Sequence, residues 1–421
     1  MSTVGEQVRG TSEVDDATGG ASEQESAASV PSPAPRVRAE RPLWLTALLV
    51  TLPAWLAAHA LVLLMQDYAV RRDPPFAAQM PNQPVIHHLF NQLFTWDTAW
   101  YAGIAAHGYS GVASDGIRFW PLLPLTIRSL DLVGIGALTA ELVVCWLASL
   151  AFGMFMYRVA LAVGADRGTA RRAVWLSQLA PGAFVLVMGY TEALAGMLAA
   201  AFLAAIVLVR PGTLPTARAT WTWYAVGFAA GFGSGLVRPT GWLLCLAGLI
   251  EVVRARRDRP SGTAARLVLA ASPVLGLLTF LGWVQSEYHD WMLPYSTQQA
   301  ANLRGTTAQS PWPSAVDSLN QGGNGAGAFT VILVVASIGL LWGCVRRLPA
   351  SYTAWAFVSL AAVITAPHFS SFARYSSGIL PLLLVAAMLT TRRSAWLWTI
   401  GSSAALCAYF AFQSFIGIYI P

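Results

Sequence analysis

Residues 94–111 read FTWDTAWYAGIAAHGYSG and set one carboxylate, Asp97, among Trp96, Trp100 and Tyr101. A single acid in aromatic surroundings suits general-base work, in which it takes a proton from a reacting hydroxyl. The plainer role is structural: Asp97 opens an apolar stretch running to His107 and could cap a helix there. The two roles are compatible.

Other polar residues stand singly in apolar sequence. Arg118 and Arg128 follow Asp97 in the same segment, Tyr190, Thr191 and Glu192 lie together, Arg238 sits in VRPTG, and His368 and Arg374 come late. Each has a plain role too. Glu192 suits the first turn of a helix, where its charge meets the positive end of the dipole. Arg238 and Arg374 could extend to lipid headgroups, and His107 and His368 could be ordinary interfacial residues. The adjacent His87 and His88 would point to different sides of a helix, a poor geometry for a metal.

As a set these residues offer one well-placed carboxylate, several arginines and many aromatics, without two acids at hydrolase spacing. Glycoside hydrolysis uses two carboxyl groups. Transfer of a sugar from a phosphate-activated donor needs one. The phosphate already leaves well, the carboxylate deprotonates the acceptor hydroxyl, and Arg or His offsets the charge growing on the phosphate. A lipid-linked donor would explain a membrane setting as well.

The elements that must carry these residues are membrane helices. The 421-residue chain is 56% hydrophobic and 11% charged, against about 25% charged for soluble domains, so the expected fold is all-α and polytopic. Residues 1–40 are rich in Ser, Ala, Gly, Pro and acids and predict a disordered tail. Residues 41–421 form the membrane domain. Apolar runs predict about eleven spans: 43–65, 138–163, 173–189, 192–209, 221–237, 240–253, 267–284, 327–345, 351–366, 374–390 and 395–416. Two long loops, 66–137 and 285–326, share one side, and the aromatics of 90–128 predict short interfacial helices in the first. Cys145, Cys245, Cys344 and Cys407 fall in apolar runs at no metal or redox spacing, which makes them small core residues.

Charge sets the orientation. All 26 basic residues are arginine, and they fall in short loops rather than on one basic face, so the net charge of +6 is no nucleic-acid signal. Clusters such as Arg254, Arg256, Arg257 and Arg259 recur in alternate loops, which predicts a cytoplasmic N-terminus and an extracytoplasmic C-terminus. Every isolated ionisable group flanked by apolar sequence is then expected on the outer face. Ionisable residues at membrane depth are costly and by default mark a functional cavity.

Five blocks, in order, carry a family resemblance: WDTAWYAGIAAHGY at 96–109, FWPLLPLTIR at 119–128, SQLAPGAFVLVMGYTEALAGML at 177–198, GLVRPTGWLL at 235–244 and FARYSSGILPLL at 372–383. The chain resembles the PIG-V family of mannosyltransferases, polytopic enzymes of the GT-C glycosyltransferase class. The resemblance implies a GT-C-like fold, a polyprenyl-phosphate-mannose donor, and transfer with inversion to a cell-envelope glycolipid, glycan or protein on the extracytoplasmic side. It implies that Asp97 is the catalytic base and makes Arg118 and Arg128 candidates for phosphate or sugar. Trp96, Tyr101, His107, Tyr109, Tyr190, Glu192, Arg238, His368 and Arg374 complete the expected binding set, with no metal and no cofactor. Membrane lipid is an expected partner and nucleic acid is not. Two other readings stand beside it: an enzyme using another polyprenyl-phosphate sugar, and a transporter or flippase for a lipid-linked sugar.

Overall fold

The computed structural model describes residues 42–72, 91–258, 262–300, 309–320, 326–366, 369 and 371–418. The 1–40 tail, most of the Gly-rich end of the second loop and His368 lie outside the described residues. Among the described residues every regular element is helical.

Helix α1, Leu43–Arg72, runs past its expected end at residue 65. Its last turns are polar but locally supported, since Arg71 reaches back one turn to Asp67 at 2.9 Å. Arg71 and Arg72 therefore close a helix and do not begin a loop. The described part of the first loop is folded: α2, Thr98–His107, packs against α3, Leu122–Asp131, with short 3-10 turns before and between them. The amphipathic α3 lays its apolar face, Leu123 and Ile127, against α4, Ala137–Ala162.

The chain then continues through α5 (Arg167–Leu179), α6 (Thr191–Leu208), α7 (Ala217–Val237), α8 (Leu244–Asp258) and α9 (Thr263–Tyr288). Helix α5 starts where Asp166 accepts the Gly168 and Thr169 backbone N–H groups at 2.7 and 3.0 Å. Thr216 caps α7 in the same way through the Ala219 N–H. Helices α10 (Leu293–Gln298) and α11 (Pro311–Asn320) lie in the second loop. Then come α12 (Ala326–Arg347), α13 (Ala350–Ile364), α14 (Phe372–Ser377), α15 (Leu380–Leu389) and α16 (Arg393–Phe415).

Among the described residues six helices, α1, α4, α6, α9, α12 and α16, are long and apolar enough to cross a membrane, and the protein is a multi-pass membrane protein on that ground. The count of eleven is not established. The other five expected spans are 13 (α5), 15 (α8 and α13) and 10 (α15) residues long, or, in α7, carry a less apolar sequence. Burial orders the bundle. The apolar window of α6 is 83% buried, against 22% for α12 and α16, so α6 is the central helix. It is apolar on all sides because it has protein on all sides, with α4, α7 and α8 against it.

Candidate active site

Prolines decide where this end of the bundle opens. A residue before proline is pushed out of the helical region, and two such steps interrupt the chain. Ala180, before Pro181, takes φ −57° and ψ 154° and ends α5. Arg238, before Pro239, takes φ −155° and ψ 149° and ends α7. A third break falls at Gly378–Ile379 between α14 and α15, where Pro381 lies in the first turn of α15. The three breaks release the segments that bear Tyr190 and Glu192, Arg238, and Arg374. Gly182 lets two of them meet: a Cβ there would lie 2.0 Å from the Ala373 carbonyl oxygen, and its N–H donates to Ser377 Oγ at 3.0 Å.

The released side chains form one charge cluster. Arg374 is buried, with Nε 3.0 Å from Glu192 Oε1 and Nη1 3.6 Å from Asp97 Oδ2. Arg238 Nη2 stands 3.1 Å from the same Glu192 oxygen. The Glu192 contacts are close ion pairs without aligned hydrogen bonds. Both arginines therefore turn inward and not to lipid headgroups. The Tyr190 and Tyr375 rings lie 5.1 and 4.5 Å from the Arg374 guanidinium, whose Nη2 also donates to Tyr375 Oη, and Arg238 lies 4.8 Å over Tyr375. Two cations face two carboxylates, and the cluster is neutral as a whole.

Asp97 occupies the helix-start position without capping it. Its φ and ψ are already helical, and its side chain makes no cap hydrogen bond. Its backbone N–H donates to Tyr190 Oη at 3.4 Å, and its side chain keeps 32% of its surface open. The residue before it is strained: Trp96 has φ +65°, with its indole N–H donating to the Ser414 carbonyl at 3.1 Å. Among the described residues, three of the four non-glycine residues with positive φ, Trp96, Phe369 and Ser371, lie within five residues of Asp97 or Arg374. Such strain persists where surroundings over-determine the backbone, commonly at functional sites.

Burial pushes the Tyr101 and Tyr190 phenols well above their usual range, and the negative charge of Asp97 adds to both. Both stay neutral hydrogen-bonding groups, and Tyr101 hydrogen-bonds the Thr191 side chain. For Arg374 burial works against the charge, but Glu192, then Tyr375 and Asp97, more than reverse it and hold the guanidinium above its usual range.

Arg118 stands on an aromatic platform, 4.6 Å over Phe119 and 5.9 Å over Trp100. Tyr101 meets the edge of the same Phe119 at 5.2 Å, which ties the platform to α2 just past Asp97. Among the described residues its Nε is buried without a hydrogen-bond partner, and no carboxylate pairs with it. A fixed guanidinium in that state is suited to an anion.

Other expected residues stand apart. His107 is exposed at the far end of α2, about 15 Å from Asp97 at 1.5 Å per residue. Arg128 is exposed and donates to the Ala105 carbonyl at 3.4 Å. Tyr109 supports the platform from behind, its hydroxyl donating to the Phe119 carbonyl at 2.7 Å and its ring against Trp283. The expectation that isolated ionisable groups all lie at one end fails, as Glu251 and His59 show. Glu251 pairs with Arg210 at the opposite end, at 2.6 and 2.8 Å, and accepts from Ser351 Oγ. His59 is buried mid-way along α1 against Trp55 and Trp146. Sequence reasoning also passed over Glu141, a fully buried acid in α4; a lone carboxyl in the apolar run TAELVVCW was the available signal. Cys145, Cys344 and Cys407 are buried and unbridged, and Cys245 is half-buried. Among the described residues no group of three or more His, Cys, Asp or Glu could hold a metal ion.

Neither a protein-family model nor a curated protein matches this chain. Among solved structures it is similar to ArnT from Cupriavidus metallidurans bound to undecaprenyl phosphate, with 14% identity over 77% of this chain and 72% of that one, at a TM-score of 0.48. It is also similar to the Archaeoglobus fulgidus oligosaccharyltransferase tethered with an acceptor peptide, with 13% identity and a TM-score of 0.44. The match covers 87% of this chain and 56% of the oligosaccharyltransferase, so the chain spans little more than half of that protein's length. The same archaeal enzyme, AglB, matches equally in complex with an inhibitory peptide and a dolichol-phosphate. Each similarity lies below a TM-score of 0.5, so nothing about donor, acceptor or catalytic residues passes from these proteins to this chain.

Proposed function

We propose that this protein is a GT-C-class membrane glycosyltransferase that transfers mannose, with inversion, from a polyprenyl-phosphate-mannose donor to a cell-envelope glycolipid, glycan or protein on the extracytoplasmic face. The observation that carries the reading is Asp97: a half-buried carboxylate that does not cap its helix, fixed through its backbone by Tyr190 and through its side chain by Arg374. The five-block resemblance to PIG-V mannosyltransferases supports the sugar and the donor.

The chemistry is a single displacement. The acceptor hydroxyl oxygen bonds to the anomeric carbon as the bond from that carbon to the phosphate oxygen breaks. The hydroxyl proton passes to Asp97, and the polyprenyl phosphate departs with the electron pair. Attack opposite the leaving group inverts the anomeric centre. Arg118, a guanidinium without a carboxylate partner among the described residues, is the group we assign to the departing phosphate. Arg374 is already committed to two carboxylates and acts by orienting Asp97.

The test uses purified protein in lipid, radiolabelled polyprenyl-phosphate-mannose and an envelope lipid extract, comparing the wild type with Asp97→Asn. Loss of a general base costs about 10²–10⁴-fold, so transfer by the nearly isosteric variant should fall into that range. Equal transfer by both proteins would make Asp97 structural. No transfer by either would remove the donor or the class, and a lipid-linked sugar transport assay would follow.

A further inference from the structure

Glu141 lies in the first turns of α4, is 0% exposed, and among the described residues neither carboxyl oxygen has a hydrogen-bond partner. The cations of the site are engaged elsewhere, Arg238 on Glu192 and Arg374 on Glu192 and Asp97. An isolated charge buried in this way would cost several kcal/mol, whereas a neutral acid costs little more than an amide.

The position of the carboxyl is defined by Gly189. A Cβ at that residue would meet Glu141 Oε1 at 2.2 Å, Cδ at 2.6 Å and Cγ at 2.9 Å, so the acid occupies the space that any side chain at 189 would need. The next turn of α4 grips the backbone on either side. Cys145 Sγ donates to the Tyr190 carbonyl at 3.4 Å, and Trp146 Nε1 donates to the Val187 carbonyl at 2.8 Å. Residues 141 and 145 are one turn apart on one face of α4, Trp146 adjoins them, and between them the three hold 187, 189 and 190. Tyr190 in turn accepts the Asp97 N–H and lies beneath Arg374.

We propose that Glu141, as an uncharged carboxylic acid, is a positioning residue that seats the 187–190 turn and, through Tyr190, fixes Asp97 and Arg374. This rests on Asp97 being the base. Glu141 touches no reacting atom; its role is to hold the turn at one height against α4. A charge on it would repel Glu192, the carboxylate that enters α6 directly after the turn.

Two measurements test it. Infrared difference spectra of the wild type and Glu141→Gln in lipid nanodiscs should show a carboxylic-acid C=O band lost in the variant. In the transfer assay Glu141→Gln should keep kcat within a few-fold. Glu141→Ala should lower kcat toward the roughly 10²-fold loss that a misplacement of about 1 Å can cause, with KM little changed. Gly189→Ala should destabilise the wild type more than it does Glu141→Ala, where the space is free. A carboxylate signature at 141, a Gln variant as impaired as Ala, or additive effects of the Gly189 and Glu141 changes would overturn the proposal. If wild type transfers no mannose, the base assignment fails, while the infrared band and the stability cycle still decide the state and seat of Glu141.

Discussion

Removing one carboxylate from the charge cluster should expose how tightly it is coupled. In Glu192→Gln, Arg374 loses a partner at 3.0 Å and Arg238 loses one at 3.1 Å. At an effective dielectric of about 20 each contact corresponds to about 5 kcal/mol of attraction before desolvation is counted. Asp97 would remain 3.6 Å from Arg374, but its side chain is one-third exposed, and water reduces such a pair to about 1 kcal/mol. The variant therefore leaves a buried guanidinium with one screened carboxylate and the Tyr375 hydroxyl, which accepts from its Nη2. Breaking a buried pair in this way costs about 3–5 kcal/mol. The same cluster predicts the partial cure: Arg238→Gln removes the surplus cation, so the double variant should lose less than the two single losses combined, by about 0.5–3 kcal/mol. Equilibrium unfolding of the four proteins in mixed micelles measures the cycle. Additive losses, or a Glu192→Gln protein within about 0.5 kcal/mol of wild type, would refute the reasoning and leave Glu192 as a helix-dipole residue only.

Three further outcomes follow from single observations. Arg118→Gln should leave stability nearly unchanged, because no carboxylate depends on it among the described residues, while transfer at low donor concentration falls; an equal fall in stability would make it a packing residue. Gly182→Ala would set a Cβ against the Ala373 carbonyl at 2.0 Å, an overpacking that costs about 1–3 kcal/mol and should separate Arg374 from Glu192; wild-type melting behaviour would contradict it. Tyr101 and Tyr190 have folded pKa values above the unfolded value of about 10. Their contribution to stability is thus fully present below about pH 10 and is lost only as pH rises through the higher folded values. Ultraviolet titration of Tyr101→Phe and Tyr190→Phe against wild type should show no phenolate from either residue below pH 10.

What the sequence by itself determined was what depends on local properties. Apolar length marked the helices, because a membrane segment satisfies its backbone within itself. Lone charges in apolar runs marked Asp97, Glu192, Arg238 and Arg374, which the fold does bring together.

Tertiary structure alone decided which charges pair. Arg238 and Arg374 could have reached lipid headgroups, and only the meeting of the α5–α6 and α13–α15 connections at Gly182 turns them onto Glu192. Arg128 and His107 carry the same local signal as Arg118, yet the direction in which α2 and α3 leave the site puts them out of reach. Glu141 lay unremarked in an apolar run because its neighbour Gly189 is 48 residues away in sequence. Long-range contact of that kind has no periodicity to read, and it is what sets Asp97 at its place.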